Sequence, residues 1–184
     1  LTDKGLSIIS LKDSIVKNYR YDANNPNSLP DNGVTCVFVS KKKNVWIGTY
    51  NGLALFNPET EKFTVFKNIP GNPSSLLSNF VLYITELKDN KLVVGTENGG
   101  VSILDLGHVK LSEPNNISFQ NIVAKDDDAG LSNPSIRAIL QDSFGNIWLG
   151  SYGGGINFIG NRPDFFKKWA YSPIKGVENS LSSK

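Results

Sequence analysis

The stretch Trp46-Ile47-Gly48-Thr49-Tyr50-Asn51-Gly52-Leu53 decides the fold, because it recurs. It returns as Val93-Val94-Gly95-Thr96-Glu97-Asn98-Gly99-Gly100 and as Trp148-Leu149-Gly150-Ser151-Tyr152-Gly153-Gly154-Gly155. The chain opens on its second half, Thr2-Asp3-Lys4-Gly5-Leu6. The step from Thr2 to Thr49 and from Thr49 to Thr96 is 47 residues, and from Thr96 to Ser151 it is 55. Leu29, Leu76 and Leu131 keep the same beat, each 17 residues before Trp46, Val93 and Trp148. Two landmarks holding one offset through three copies mark a repeat protein, and periods of this length belong to solenoids, propellers or arrays.

Within a copy the pattern reads as four short strands. Val34 to Val39 is almost wholly apolar and β-branched, as in a strand buried on both faces. A polar turn, Lys41-Lys42-Lys43-Asn44, leads to a second strand at Val45 to Thr49. Asn51-Gly52 then turns the chain through positive φ, as such pairs do in hairpins. Leu53 to Phe56 and Phe63 to Lys67 complete the unit. The loop Asn72-Pro73-Ser74-Ser75-Leu76 matches Asn25-Pro26-Asn27-Ser28-Leu29 and is expected to carry the chain from one blade's outer strand to the next blade's inner strand. By direct alignment, Ala54, Val101 and Ile156 share a face of the third strand, with Leu55, Ser102 and Asn157 opposite. Gly48, Gly95 and Gly150 lie inside strands, where glycine is costly unless another backbone or ring comes close; a neighbouring blade would supply that reason.

Four-stranded units of ~45 residues without helical periodicity predict an all-β fold, a β-propeller. Residues 1–29 supply a half blade, 30–76 a blade, 77–130 a blade with an insertion at about 107–129, and 131–184 a blade plus the start of the next, at Asn179-Ser180-Leu181. This makes about three and a half four-stranded antiparallel blades, short of the 4–8 that close a ring. The strands at 34–39, 81–87 and 136–141 are expected to be innermost and largely buried. The uncovered blade faces, with Leu6, Ile8 and Ile9 at one end and Ile156, Phe158 and Trp169 at the other, are expected to favour self-association.

Composition narrows the function. Nineteen basic and seventeen acidic residues leave a net charge of +2, so no strong field favours nucleic acid or a membrane surface. No apolar run approaches the ~18 residues of a membrane helix, and no signal peptide opens the chain. Methionine is absent even at position 1, which suggests a mature product or an excised piece. The single Cys36, in an apolar run, reads as a small buried hydrophobe. Asp126-Asp127-Asp128 lacks the alternating ligands of a calcium loop and reads as solvated. No metal or cofactor site is expected.

The repeats resemble the two-component regulator propeller repeat, over the whole chain. The resemblance rests on the loops Asn27-Ser28-Leu29 and Ser74-Ser75-Leu76, on the strand Ile136-Arg137-Ala138-Ile139-Leu140-Gln141-Asp142, and on Phe144-Gly145-Asn146-Ile147-Trp148-Leu149-Gly150-Ser151. Residues 131–172 follow the family pattern best. Lys41-Lys42-Lys43 replaces the usual acidic-and-glycine turn, and Val93 the usual tryptophan. The resemblance implies a periplasmic sensor region of a hybrid two-component system of gut Bacteroidetes, which detects oligosaccharides and signals to a histidine kinase carried elsewhere in the parent protein.

Strand alternation puts the turn after each second strand and the loop between blades at one end of the fold. Tyr50, Asn51, Glu97, Asn98 and Tyr152 fall there, and Arg137 lies near the start of its inner strand. Aromatic rings cover the apolar C–H faces of sugars, and amides and charges satisfy their hydroxyls, so these six are the candidate ligand residues. A protein-interaction scaffold is the alternative function. A lyase-like or quinoprotein propeller enzyme is a weaker one, because one histidine, His108, sits in the insertion and no catalytic set surrounds it. No catalytic residue is expected in this chain.

Overall fold

The structure is a computed structural model that describes residues 3–125, 130–161, 166–171 and 180–181. Strands β1 (Leu6–Ile9) and β2 (Val16–Tyr19) make a two-stranded sheet. The next sheet contains β3 (Val34–Val39), β4 (Val45–Thr49), β5 (Gly52–Asn57) and β6 (Lys62–Phe66). The third contains β7 (Val81–Glu86), β8 (Lys91–Thr96), β9 (Gly100–Asp105) and β10 (Gln120–Ile122). The last runs through β11 (Ile136–Gln141), β12 (Ile147–Ser151), β13 (Gly155–Ile159) and β14 (Phe166–Tyr171), with β15 (Ser180–Leu181) added in parallel at its outer edge. All other pairings between these strands are antiparallel, and neighbours in sequence are neighbours in the sheet. The fold is the expected one: half a blade and three complete blades of a β-propeller. The Asp126–Asp128 run and residues 172–179 lie outside the described residues.

The cores sit between the blades. Leu6 and Tyr19 of the half blade pack on Leu29, Val34, Ile47, Ala54, Phe56 and Phe63 of the second blade. Trp46, Leu53 and Phe66 of the second blade meet Leu76, Val81, Ile84 and Val94 of the third. Val93 and Val101 of the third meet Leu131, Ile136, Ile139 and Leu149 of the fourth. Adjacent residues on one strand, Trp46 and Ile47, are both fully buried yet feed different cores. A blade is thus apolar on both faces, which is why its second strand reads as a continuous apolar run rather than an alternation. The three landmark leucines, Leu29, Leu76 and Leu131, are wholly buried.

The glycines inside β4 and β8 are sites of close approach. A Cβ on Gly48 would stand 2.7 Å from Val81 Cγ1 of the next blade, and one on Gly95 would stand 2.8 Å from the Ile136 carbonyl oxygen. At Gly150 the nearest atom would be Ala138 Cβ at 3.4 Å, an ordinary contact within the same blade. Backbone hydrogen bonds fasten each junction: the N–H of Gly5, Gly52 and Gly100 donates to the carbonyl of Asn32, Asn79 and Pro134 on the following blade, at 2.9, 2.7 and 2.7 Å.

Three expectations need correction. The inner strands pair with the Trp-Gly strands as anticipated, but they are not largely buried. Val37 is 50 % exposed, whereas its counterparts Ile84 and Ile139 are 5 % and 4 % exposed. Val37 faces the half blade, which brings no inner strands, and Leu140, exposed at the other end, has no described blade beside it. Neighbours bury these strands, not their own sheets. Leu6, assigned to the open face, instead packs against the second blade.

The third-strand alignment is also shifted. Gly48 pairs with Leu53, but Gly95 pairs with Val101 and Gly150 with Ile156. The turn in the second blade is one residue shorter, and a slip of one flips every side chain to the other face. The true equivalents are therefore Ala54, Ser102 and Asn157, all fully buried. Ser102 Oγ accepts from Leu77 N–H at 3.1 Å, and Asn157 Oδ1 from Ser132 N–H at 2.8 Å. The matching residue in the second blade is Pro30, which has no N–H to satisfy, so an alanine at position 54 leaves nothing orphaned.

The insertion contributes to a blade junction. It separates β9 from β10 as an arm through a short 3-10 turn at Pro114–Asn116. Leu106 and Phe119 are buried, and Val109, Leu111 and Ile117 pack on the core between the second and third blades.

The turns before the Trp-Gly strands differ in one consequential pair. Asp142 accepts from the N–H groups of Phe144 and Asn146 and from Trp148 Nε1, the last at 3.0 Å. Ser40 holds the same place in the second blade and accepts only from Asn44 N–H, at 3.0 Å. Trp46 Nε1 is buried with no partner.

These contacts set three expectations for stability. Gly95→Ala forces a methyl against a backbone carbonyl and is expected to cost about 1–3 kcal/mol, while Gly150→Ala is expected to be near neutral in urea unfolding of this chain. Ser40→Asp gives Trp46 Nε1 the acceptor that Trp148 has and is expected to stabilise by about 1 kcal/mol. The Trp148 hydrogen bond, aided by those from Asn146 and Phe144, holds the Asp142 carboxyl below its ordinary value of 3.8. A lowered folded-state pKa contributes stability above the unfolded value that is lost as pH falls through the folded one. Asp142→Asn should therefore flatten the acid limb of the stability profile, measured by thermal melts below pH 5.

Candidate functional site

The turns after β4, β8 and β12 and the loops leading into β7 and β11 meet at one end of the blades. Within each blade the first turn residue is tied down: Tyr50, Glu97 and Tyr152 donate their backbone N–H to the carbonyls of Gly33, Phe80 and Ser135 at 3.0, 2.8 and 2.9 Å. With the Gly52 and Gly100 bonds between blades, Tyr50 and Glu97 rise from a backbone fixed on two sides, whereas Tyr152 is tied within its own blade.

At the junction of the second and third blades stands Tyr50. Its ring lies over Gly33, where a Cβ would stand 2.2 Å from Tyr50 Cδ2. It meets the Phe80 ring edge-to-face, with centroids 4.6 Å apart at 61°. Glycine is required beneath it for lack of room, and one ring edge remains exposed. Asn51 is half-buried; its N–H bonds Thr49 Oγ1 at 3.1 Å and its amide reaches the Pro30 carbonyl at 3.5 Å.

At the junction of the third and fourth blades the structure gathers three of the candidates. Arg137 Nη2 lies 3.4 Å from Glu97 Oε2, and the guanidinium carbon sits 4.7 Å from the centroid of the Tyr152 ring. A register shift between Ile136 and Ala138 leaves Arg137 out of the ladder, and such bulges re-aim a side chain. The same shift recurs at Val34/Cys36 and Val81/Tyr83, so Thr35 and Leu82 occupy the equivalent place. Asn98, in the left-handed region at φ 56°, is locked by Ser135, whose hydroxyl accepts from Asn98 N–H at 3.1 Å and lies 3.2 Å from its side-chain oxygen.

Four of the six candidates thus form one assembly across a blade junction, while Tyr50 and Asn51 belong to the neighbouring junction. No hydrogen bond, ion pair or ring contact joins the two groups. Phe80, Ser135 and Gly33 were not foreseen, although they occupy one repeat position just ahead of the inner strands, and that register was the signal available. Asn32 and Asn79, near this face, are structural: their side chains accept from the backbone N–H of Tyr21 and Asn68. Among the described residues no group of three His, Cys, Asp or Glu side chains is placed to hold a metal. His108 Nδ1 lies 2.9 Å from Asp105 Oδ2 at the opposite end of β9 from the Glu97–Asn98 turn, and this bond holds the Asp105 carboxyl below its ordinary range.

Residues 28–51 and 130–153 match the family model of the two component regulator propeller. The chain carries two component regulator propeller repeats. The chain as a whole is 43% identical to an extracellular domain of a hybrid two component system from B. thetaiotaomicron, over 98% of this chain and 20% of that one, with a TM-score of 0.68. A second such domain from the same organism is 24% identical, over 85% of this chain and 21% of that one, with a TM-score of 0.70. PorZ, a surface component of the type-IX secretion system of Porphyromonas gingivalis, is 19% identical, over 86% of this chain and 22% of that one, at 0.60. The last two likenesses show the fold alone. The chain spans about a fifth of the length of the structures it matches. No curated protein matches the chain, and no helix among the described residues is long and apolar enough to cross a membrane.

The two junctions should respond differently to truncation. Tyr152→Ala and Arg137→Ala remove exposed groups and are expected to shift stability by less than about 1 kcal/mol. Tyr50 and Phe80 should show a coupling of about 0.5–1.5 kcal/mol in a double-mutant cycle read by chemical unfolding. A coupling near zero would show that the Phe80 ring does not hold Tyr50 in place.

Proposed function

We propose that this chain is the ligand-sensing propeller portion of a hybrid two-component receptor, lying in the periplasm and reporting oligosaccharides to a histidine kinase elsewhere in the parent protein. The observation that carries the reading is the assembly of Glu97, Arg137 and Tyr152 across a blade junction, with the backbone N–H of Glu97 and of Tyr152 each bonded to a carbonyl just ahead of its inner strand. Preorganised aromatic and charged side chains at the rim of a rigid scaffold are suited to a polyhydroxylated ligand, because rings cover its C–H faces and polar groups satisfy its hydroxyls. Likeness to the extracellular domain of a hybrid system across nearly the whole chain supports the receptor context. The two open blade faces are then where the rest of the sensor region packs.

Ligand that binds only the native state raises its apparent stability by RT ln(1 + [L]/Kd). The complete sensor region, screened against defined oligosaccharides by thermal shift, is expected to give a concentration-dependent rise for one class, abolished or reduced by Tyr152→Ala. A full panel without any shift would count against the sensing role.

A further inference from the structure

The ion pair at the third junction is incompletely made. An arginine carries five N–H donors in a planar fork, and close charge-assisted bonds run at about 2.7–2.9 Å. Arg137 uses one nitrogen, at 3.4 Å, on a single oxygen of Glu97. Its plane is held against the Tyr152 ring, and its side chain is 52 % exposed, against 24 % for Glu97. The other donors bond no group among the described residues. The ordinary fate of a surface arginine is a fully solvated head; here a β-bulge sets the residue out of the ladder, and a ring and a carboxylate stand beside a head that stays half exposed. That is the geometry that receives a carboxylate in two parallel bonds. Glu97 makes the site selective: it balances the charge when the site is empty and repels an anion that does not bring enough contact to displace it.

We propose that Arg137, presented on Tyr152, takes the carboxylate of an acidic sugar, so that the ligand sensed at this junction is a uronate-containing oligosaccharide; this rests on the ligand-sensing reading above. The inference is tested by calorimetry on the complete sensor region, with oligogalacturonides, oligomannuronides and glucuronate-containing oligosaccharides, each beside its carboxyl-reduced counterpart. The expected result is binding of one acidic member at least tenfold tighter than its reduced form, weakening with salt. Arg137→Ala should remove that preference, Arg137→Lys should restore only part of it, and Glu97→Gln should tighten the acidic ligand severalfold, with the ligand-free melting point unchanged in each. Equal binding of acidic and reduced forms, or tighter binding of the reduced form, would overturn the inference and leave sugar sensing standing. An acidic preference that survives Arg137→Ala would also overturn it. No binding by any member of either series would count against both.

Discussion

Every feature of this fold depends on blades packing face to face. A four-stranded antiparallel sheet of this kind has no polar face to give to water: Trp46 and Ile47, one residue apart, are both fully buried in different cores. A neighbouring blade on each side is therefore a condition of stability rather than an addition to it. Burying a large apolar side chain is worth about 1.5–3 kcal/mol, and each junction buries several. Close approach is set by glycine, since the space a Cβ would need at positions 48 and 95 is taken by Val81 and Ile136 of the next blade.

That same packing creates the candidate site. Because Gly5, Gly52 and Gly100 donate their N–H groups to the following blade, side chains from two sheets converge on each of the three described junctions. Arg137 comes from one blade and Glu97 from the one before. The junctions share a backbone and differ in side chains: an aromatic pair at Tyr50 and Phe80 in one, a charged group on a ring in the next. The backbone plan fixes which positions converge at a junction, and the turn residues decide which side chains meet there.

Much of this was legible in the chain. The spacing of the leucines and of the Trp-Gly motif gave blade number and strand order, and strand-interior glycines pointed to close neighbours. The gathering of the turns at one end of the blades followed from alternation. What could not be read was whatever depended on a single residue of turn length or on neighbours in space. The shortened turn at Asn51-Gly52 moved the third strand by one register, which equal spacing elsewhere concealed. Val37 looked like a core residue because its composition matches Ile84, yet the two differ in what lies opposite. The pairing of Arg137 with Glu97 spans forty residues and two sheets, so no local pattern announces it. Trp46 and Trp148 look alike in sequence, but only one finds an acceptor for its indole N–H.

The buried contact between third strand and lead-in loop has an implication for how such repeats diverge. In two blades a side-chain oxygen, on Ser102 or Asn157, meets a backbone N–H; in another both partners are gone together, as Ala54 and Pro30. Losing either alone would strand a polar group in the interior. A blade is thus a matched unit: a recombination breakpoint inside one would join an acceptor to a proline or a donor to an alanine. Crossovers between blades leave the match intact, so a lineage can shuffle its rims by exchanging complete blades.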